Sequence, residues 1–176
     1  MKKITIVCGT NRRNSYSEKV AMYYAGLLTG SGHEVKVLNM QEYENITTLS
    51  GYFDKVNEKR DVMIADYIVP AQGFIFIVPE YNGSMPGILK LFLDTIHPKF
   101  WENKHACITG IASGRAGNLR GMDHLTGILN YLKVHVFHNK LPISMVDKIF
   151  AEGSPSNEET AKVIQKQLEG FLTVIP

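Results

Sequence analysis

Short apolar runs rich in β-branched residues alternate along the chain with segments whose apolar positions recur every three or four residues. The first pattern predicts β-strands, and the second predicts helices that bury one face. Strands are expected at residues 3–8, 34–39, 73–78, 105–110 and 134–137, and an extension of the last towards Ile143 is left open. This alternation is typical of β-α-β crossovers, so we predict an α/β fold with a doubly wound, five-stranded parallel sheet and helices on both faces.

Five helical segments are expected between and after these strands. They cover residues 18–30, a short stretch through Val62 and Ala65, and residues 88–97, 119–132 and 157–171. The segment at 88–97 is apolar almost all round, and its only charges, Lys90 and Asp94, share one face. One sheet cannot cover such a helix, which favours a subunit interface. Residues 40–59 are polar and lack periodicity, so an irregular surface excursion is expected there.

Length and composition restrict the class of protein. With 176 residues, 44% hydrophobic and 20% charged, the chain is predicted to form one domain over residues 1–176. No apolar run approaches the roughly 18 residues that cross a bilayer, and the N-terminal run is too short for a signal peptide. We therefore expect a cytoplasmic protein without a membrane span. The net charge of +2 comes without a basic stretch interleaved with aromatic residues, so nucleic acid is not an expected partner.

Cysteines and histidines do not indicate a metal centre. Cys8 and Cys107 lie within predicted strands, where a thiol usually serves as a small buried hydrophobe. The six histidines show no metal-ligand spacing. We predict no metal site, and no side chain is assigned a role as catalytic acid, base or nucleophile.

The informative residues fall in the loops after strands one, three and four. A strand order of 2-1-3-4-5 would bring these loops together at the carboxyl edge of the sheet, where doubly wound folds bind ligands. The first loop combines free amides at a helix start with hydroxyl and guanidinium groups, on Thr10, Arg12, Ser15 and Ser17. Such groups suit a phosphate monoester dianion. The alternative is that Asn14 or Ser15 only caps the helix and the arginines are solvated.

The second loop is the most specific signal in the chain. It reads Pro79-Glu80-Tyr81-Asn82-Gly83-Ser84. The Asn-Gly pair tolerates positive φ and can direct successive amides into a cleft, and the tyrosine can form an aromatic wall. These features suit a planar heteroaromatic ring with polar edges. A packed tyrosine in an ordinary turn is the alternative.

The third loop adds a weaker signal. Its two glycines, Gly114 and Gly117, would let the main chain approach a flat ligand closely. Ser113 or Arg115 could then bond the polar end of the ring. On its own this segment is equally consistent with an ordinary glycine-rich loop, and only its place beside the other two loops favours a role.

Together these segments resemble the NADPH-dependent FMN reductase family, which has a Gly-Ser-x-Arg-x-x-Ser loop after strand one and a Pro-Glu-Tyr-Asn loop after strand three. The likeness runs from about residue 3 to residue 132. Thr10 stands where the family usually has serine. The resemblance implies phosphate binding by Thr10, Arg12, Ser15, Tyr16 (through its backbone) and Ser17, and ring contacts from Pro79, Glu80, Tyr81, Asn82, Gly83 and Ser84. The family usually has two adjacent glycines in the third loop, which this chain lacks. The resemblance still implies flavin contacts from Ser113, Gly114 and Arg115.

The resemblance further implies a flavodoxin-like fold, FMN as cofactor, NADPH or NADH as cosubstrate, and a homodimer or homotetramer with the flavin near the interface. It implies a two-stage cycle: a nicotinamide delivers hydride to the flavin N5 and leaves, and a quinone, azo compound, free flavin or oxidised metal ion is then reduced. Two alternatives remain. A flavodoxin-like electron carrier would lack nicotinamide oxidation, although such carriers are usually strongly acidic. A flavin-free binding domain could use the same fold.

Overall fold

The computed structural model describes residues 1–46 and 57–176. Its strands are β1 (Lys3–Cys8), β2 (Glu34–Asn39), β3 (Gly73–Pro79), β4 (His105–Ile111), β5 (His135–Val136) and β6 (Leu141–Ile143). Its α-helices are α1 (Tyr16–Gly30), α2 (Glu58–Met63), α3 (Gly87–Thr95), α4 (Leu119–Tyr131), α5 (Val146–Ile149) and α6 (Glu158–Val174). Two short 3-10 helices, Met40–Ile46 and Pro98–Phe100, and a π-helical turn, Ile64–Ile68, complete the described elements.

The strands form one parallel sheet in the order β2-β1-β3-β4-β5, so the predicted doubly wound α/β architecture is confirmed. Ile6 on β1 lies opposite Val37 on β2 and Ile75 on β3. This register brings the carboxyl ends of β1 and β3 side by side. Strand β3 is buried on both faces over residues 73–78, as its unbroken apolar run predicts for a central parallel strand.

The fifth strand differs from the prediction of one continuous strand. β5 ends at Val136 and β6 begins at Leu141, and both pair with β4. Between them, the Asn139 carbonyl accepts a hydrogen bond from Nε2 of Gln167 on α6, at 2.9 Å. The same amide donates to the Ile108 carbonyl on β4 at 3.2 Å. A buried side chain from the last helix therefore links β4 to the segment between β5 and β6, where the backbone ladder is interrupted.

The polar stretch at 40–59 is also more regular than predicted where the structure describes it. A 3-10 helix follows β2 directly, and α2 begins at Glu58, with the Asn57 side chain accepting from the backbone N–H of Arg60 at 3.0 Å. The middle of the predicted excursion, residues 47–56, lies outside the described residues. Helix α5 was not predicted at all, because it has only four residues and no apolar periodicity.

Each face of the sheet carries its own apolar core. Helices α1 and α6 cover one face, where Tyr24 and Phe171 are fully buried. Helices α3 and α4 cover the other, where the rings of Trp101 and Phe74 lie 5.1 Å apart. Leu119, which the helical spacing grouped with the apolar positions of α4, is 54% exposed because it lies at the first position of that helix. The loops at the carboxyl edge of the sheet lie outside both cores.

Candidate functional site

A cleft of about 460 Å³ opens beyond the carboxyl ends of β1, β3 and β4. Nine of the predicted site residues line it: Thr10, Arg12, Ser15, Tyr16, Ser17, Pro79, Glu80, Tyr81 and Ser113. It is also lined by Arg13, Asn14, Ile111, Ala112 and Val146. The remaining predicted residues, Asn82, Gly83, Ser84, Gly114 and Arg115, do not line this cleft. The structure thus brings the three loops together as the strand order implied, with the second and third loops entering the cleft only in part.

Backbone geometry fixes the first loop against the sheet. The Gly9 N–H donates to the Ile77 carbonyl at 2.8 Å, and a Cβ at Gly9 would lie 2.7 Å from that same oxygen. Only glycine lets β1 leave the sheet so close to β3. Asn14 then adopts φ of 52°, and Ser15 caps α1, its Oγ accepting from the Glu18 N–H at 3.2 Å. Of the two predicted caps, Ser15 is the one used.

One polar atom of this loop has no partner. Ser17 is 1% exposed and lines the cleft, and its Oγ makes no hydrogen bond to any described residue. Leaving a buried hydroxyl unsatisfied costs roughly 1–3 kcal/mol. The atom lies in the first turn of α1, where backbone amides and the helix dipole favour negative charge.

A tyrosine joins the first two loops. Tyr81 Oη and Thr10 Oγ1 lie 2.9 Å apart, and Thr10 Oγ1 also accepts from the Arg12 N–H at 3.2 Å. Thr10 is 1% exposed, so its hydroxyl is already engaged within the protein. The threonine therefore shapes the loop around Arg12 in addition to lining the cleft.

The second loop forms a tight two-residue turn. Tyr81 and Ser84 exchange both backbone hydrogen bonds, at 2.9 and 3.1 Å, around Asn82 (φ 51°) and Gly83 (φ 75°). Positive φ at both central positions is the conformation for which an Asn-Gly pair is best suited. Ser84 Oγ lies 2.8 Å from Nδ1 of His124 on α4. The turn is thus fixed at both ends, to the first loop and to a helix.

The third loop is tied to the segment between β6 and α5. The Gly114 carbonyl accepts from the Met145 N–H at 3.0 Å, and the Arg115 carbonyl accepts from Ser144 Oγ at 2.5 Å. Gly114 and Arg115 are exposed outside the cleft, whereas Ser113 lines it. Both bonds come from the residues that lead into helix α5, Ser144 and Met145, so this segment fixes the third loop beyond Ser113.

Two side chains that support the site were not predicted. Asn118, at φ of 63° and 1% exposed, donates through Nδ2 to the carbonyls of Val78 and Pro79, each at 3.0 Å, and caps α4. Gln41 donates through Nε2 to the Arg12 carbonyl at 3.0 Å. The preference of asparagine for left-handed backbone and N-cap positions could have singled out Asn118. No local signal connects Gln41 with a loop 29 residues earlier.

The cysteine nearest the cleft is not reactive. Burial, reinforced by the charge of Glu18, raises the pKa of the Cys8 thiol to about 12, and burial also raises the pKa of Cys107. Both thiols are free and stay protonated at neutral pH. Within ranges 1–46 and 57–176, no group of three or more His, Cys, Asp and Glu residues could hold a metal ion. No helix in those ranges has the length and apolarity needed to span a membrane.

A doubly wound sheet whose first loop presents amides, hydroxyls and arginines to a cleft at the carboxyl edge defines the flavodoxin-like class of nucleotide-binding α/β proteins. The sequence model of the NADPH-dependent FMN reductases matches residues 2–148, and the chain belongs to that family. It is therefore an oxidoreductase with FMN as cofactor and a reduced nicotinamide as cosubstrate. This membership disfavours both the carrier and the flavin-free alternatives.

Individual relatives carry related descriptions. The chain is 29% identical to a 2-hydroxy-1,4-benzoquinone reductase of Burkholderia sp, over 96% of this chain and 93% of that protein. It is 27% identical to an NAD(P)H-dependent FMN reductase of Pseudomonas aeruginosa, over 96% and 92%. A solved flavoenzyme NAD(P)H:(acceptor) oxidoreductase of Paracoccus denitrificans matches with a TM-score of 0.73 at 22% identity, over 99% of this chain and 97% of that chain. The structural match supports the fold.

Proposed function

We propose that the cleft holds FMN non-covalently, with its phosphate at the first loop and its ring at the second. The protein, a single domain over residues 1–176, then passes electrons from NAD(P)H to a small acceptor such as a quinone, azo compound, free flavin or oxidised metal ion. The observation that carries this proposal is the buried Ser17 Oγ, which has no partner among the described residues and lies at the start of α1, in a residue that lines the same cleft as Arg12.

The chemistry of the first loop fits a phosphate monoester. Ser17 offers an unused hydroxyl, and the amides of the first turn of α1 offer further donors. Arg12 and Arg13 are exposed at the cleft and can neutralise the two charges of the ester. The cleft volume of about 460 Å³ also lies within the range of roughly 300–1,000 Å³ that is usual for cofactor sites.

The second loop fits the ring end. Tyr81 is 38% exposed and lines the cleft beside Pro79 and Glu80. Its hydroxyl bond to Thr10 holds it in place, so little side-chain entropy is lost when a ligand packs against it. We propose that the turn at Asn82 and Gly83, with Ser84, contacts the ring edge through its backbone, and that Ser113, Gly114 and Arg115 approach from the third loop.

Bound FMN would supply the redox chemistry, accepting a hydride from the nicotinamide and releasing two electrons to the acceptor. The chain's own residues bind and orient: the first loop fixes the phosphate, and the second loop fixes the plane of the ring. Asn118 holds the end of β3 through the Val78 and Pro79 carbonyls, so the loop that follows starts from a rigid support. No side chain is required to act as an acid, base or nucleophile.

The acceptor class follows from the shape of the site and from the relatives. The cleft is open to solvent over the second loop, where Tyr81 and Glu80 are exposed, so a flat acceptor could replace the nicotinamide on the ring. The relative from Burkholderia sp is named for reduction of a hydroxybenzoquinone. We therefore propose quinones as the first acceptors to assay.

The test is an absorbance spectrum and a titration. Purified protein mixed with FMN should show a bound-flavin spectrum that bleaches on anaerobic addition of NADPH or NADH. Arg12→Ala should weaken FMN binding by about 1.5–3 kcal/mol, or roughly 10- to 150-fold in Kd, because a charge-assisted phosphate contact is lost. Unchanged affinity in that variant, or a protein that stays colourless with FMN, would refute the proposal.

We also propose that the protein is a homodimer through α3 and α4. Between these helices lies a groove of about 450 Å³ lined by Leu93, Ile96 and Ile128, among others, and Tyr131 projects beside it at 85% exposure. The charges on α3 satisfy each other, Lys90 Nζ lying 2.7 Å from Asp94 Oδ1. Light scattering should give a dimer mass, and Tyr131→Glu should shift it towards the monomer. A monomeric wild-type protein would contradict this assembly.

A further inference from the structure

One acidic residue lines the cleft at its second loop. Among the described residues of the lining, the charged ones are Arg12 and Arg13 on the first loop and Glu80 on the second. Glu80 is exposed, and its carboxylate makes no hydrogen bond or ion pair to any described residue. The lining residues around the carboxyl ends of β3 and β4 carry no charge of their own: Pro79, Tyr81, Ile111, Ala112 and Ser113. The cleft thus has positive charge on the first loop and an uncompensated negative charge on the second.

The backbone that carries this carboxylate is fixed on both sides. The Glu80 N–H donates to the Ile111 carbonyl at the end of β4, at 2.9 Å. The Pro79 carbonyl before it accepts from Nδ2 of Asn118 at 3.0 Å, and the hydroxyl of Tyr81 after it is bonded to the first loop. The charge therefore stays at the second loop, although the side chain itself is free to turn.

The nearby arginines do not neutralise Glu80. With FMN in place, Arg12 and Arg13 are matched by the two negative charges of its phosphate. Arg120 on α4 reaches the adjoining turn, since a Cβ built on Gly83 would lie 3.0 Å from its Nη1, but it makes no ion pair with Glu80 within 4.0 Å. One negative charge thus remains at the loop assigned to the ring.

We propose that Glu80 is a specificity-determining residue for the acceptor, and that its carboxylate favours neutral and cationic acceptors over anionic ones. An acceptor must touch the exposed ring to receive electrons, which brings its own charge closer to the second loop than the Debye length of roughly 8 Å at physiological ionic strength. Repulsion of an anion is then only partly screened. This inference rests on the proposed function, in which the FMN ring lies at that loop, and it ranks uncharged quinones ahead of sulfonated dyes and metal oxyanions.

The test uses FMN-loaded protein that is reduced beforehand with one equivalent of dithionite and then mixed anaerobically with an acceptor. 1,4-Naphthoquinone and its 2-sulfonate share a ring system and differ by one negative charge. The quantity compared is the rate constant for the sulfonate divided by that for the parent quinone, because differences in intrinsic reactivity cancel between variants. Glu80→Gln should raise this ratio about three- to tenfold, since one charge a few ångströms from the acceptor is removed. Added salt should raise the wild-type ratio and reduce the difference between the two proteins.

Further variants separate charge from shape. Glu80→Asp keeps the charge and should retain a ratio close to that of the wild type, whereas Glu80→Lys should raise the ratio beyond that of Glu80→Gln. Glu169→Gln is the matched control, because it removes the same charge from an exposed position towards the end of α6 that packs on Gly73 at the amino end of β3. Its ratio should equal the wild-type ratio.

The outcomes distinguish this inference from the proposed function. A wild type that binds no FMN refutes that function. Equal ratios in FMN-loaded wild type and Glu80→Gln, or an equal rise in Glu169→Gln, overturn the role of Glu80 and leave the function standing.

Discussion

Replacing Ser17 by alanine should stabilise the protein without FMN and weaken its hold on FMN. The hydroxyl is buried, lines the cleft and has no hydrogen-bond partner among the described residues. In the FMN-free protein it therefore contributes only a desolvation cost. In the FMN complex it would donate to a phosphate oxygen. The two states should respond to Ser17→Ala with opposite signs.

The magnitudes follow from these two environments. Removing a buried, unsatisfied hydroxyl relieves about 1–3 kcal/mol, which for a domain of this size raises Tm by roughly 2–12 °C. Losing a bond to an anionic oxygen costs about 1.5–3 kcal/mol of binding, or roughly 10- to 150-fold in Kd. With FMN at 100 times the wild-type Kd, its stabilisation would fall from about 2.7 kcal/mol to about 1 kcal/mol for a thirtyfold loss of affinity.

Ser15→Ala is the matched control. It makes the same chemical change two residues away, but Ser15 Oγ accepts the Glu18 N–H as the cap of α1. Losing a cap costs about 1 kcal/mol, so this variant should be less stable than the wild type with or without FMN. Thermal unfolding with and without FMN, together with fluorescence titration of FMN, measures both variants. A Ser17→Ala protein that is destabilised without FMN, or that binds FMN like the wild type, would refute the reasoning.

Three further predictions concern the supports of the site and the buried thiol. Tyr81→Phe should weaken FMN binding about two- to tenfold, because the link to Thr10 of about 0.5–1.5 kcal/mol is lost; titration with FMN measures this, and an unchanged Kd would count against it. Asn118→Ala should lower the free energy of unfolding by about 2–4 kcal/mol in urea denaturation, because two buried carbonyls lose a donor and α4 loses its cap; a loss below about 0.5 kcal/mol would contradict this. Burial, reinforced by the charge of Glu18, raises the pKa of the Cys8 thiol from its ordinary 9.0 to about 12, so the folded state holds the proton more tightly. The free energy of unfolding should therefore fall as pH rises from about 9 towards 12, less steeply in Cys8→Ala, and equal slopes would exclude this cause.

The strands and the strand order were predictable because each β-branched run is local and parallel crossovers constrain their arrangement. The division of the last strand was not, because the side chain that bonds to the backbone at the interruption belongs to Gln167, about 30 residues further along the chain. Nothing near residues 137–140 signals that a side chain of α6 will take the place of a ladder bond. The same amide lies beside Tyr24 and Thr109 in a buried polar cluster that the apolar periodicity of α6 does not reveal.

The candidate site was likewise predictable from the sequence only in part. The first loop and the start of the second were predictable, because parallel strands end at one edge and their polar residues must meet there. The turn at Asn82 and Gly83 was expected to have positive φ, and it does. The two central residues of the turn do not line the cleft, and Ser84 at its end is bonded instead to His124 on α4. Loop direction set by a distant helix cannot be derived from the loop's own sequence.

The loops at the carboxyl edge of the sheet are held firmly by hydrogen bonds, yet some polar groups there lack partners. The backbone of the first loop is held by Gln41 and by Thr10, and the end of β3 is held by Asn118, so the geometry of the loops is fixed before any ligand arrives. Yet Ser17 keeps a buried hydroxyl without a described partner, and Arg12 and Arg13 line the cleft without an ion pair to any described carboxylate. A sequence selected only for stability would replace such groups, since each substitution is simple. Their presence on a rigid frame fits the proposal that the phosphate of FMN binds at the first loop.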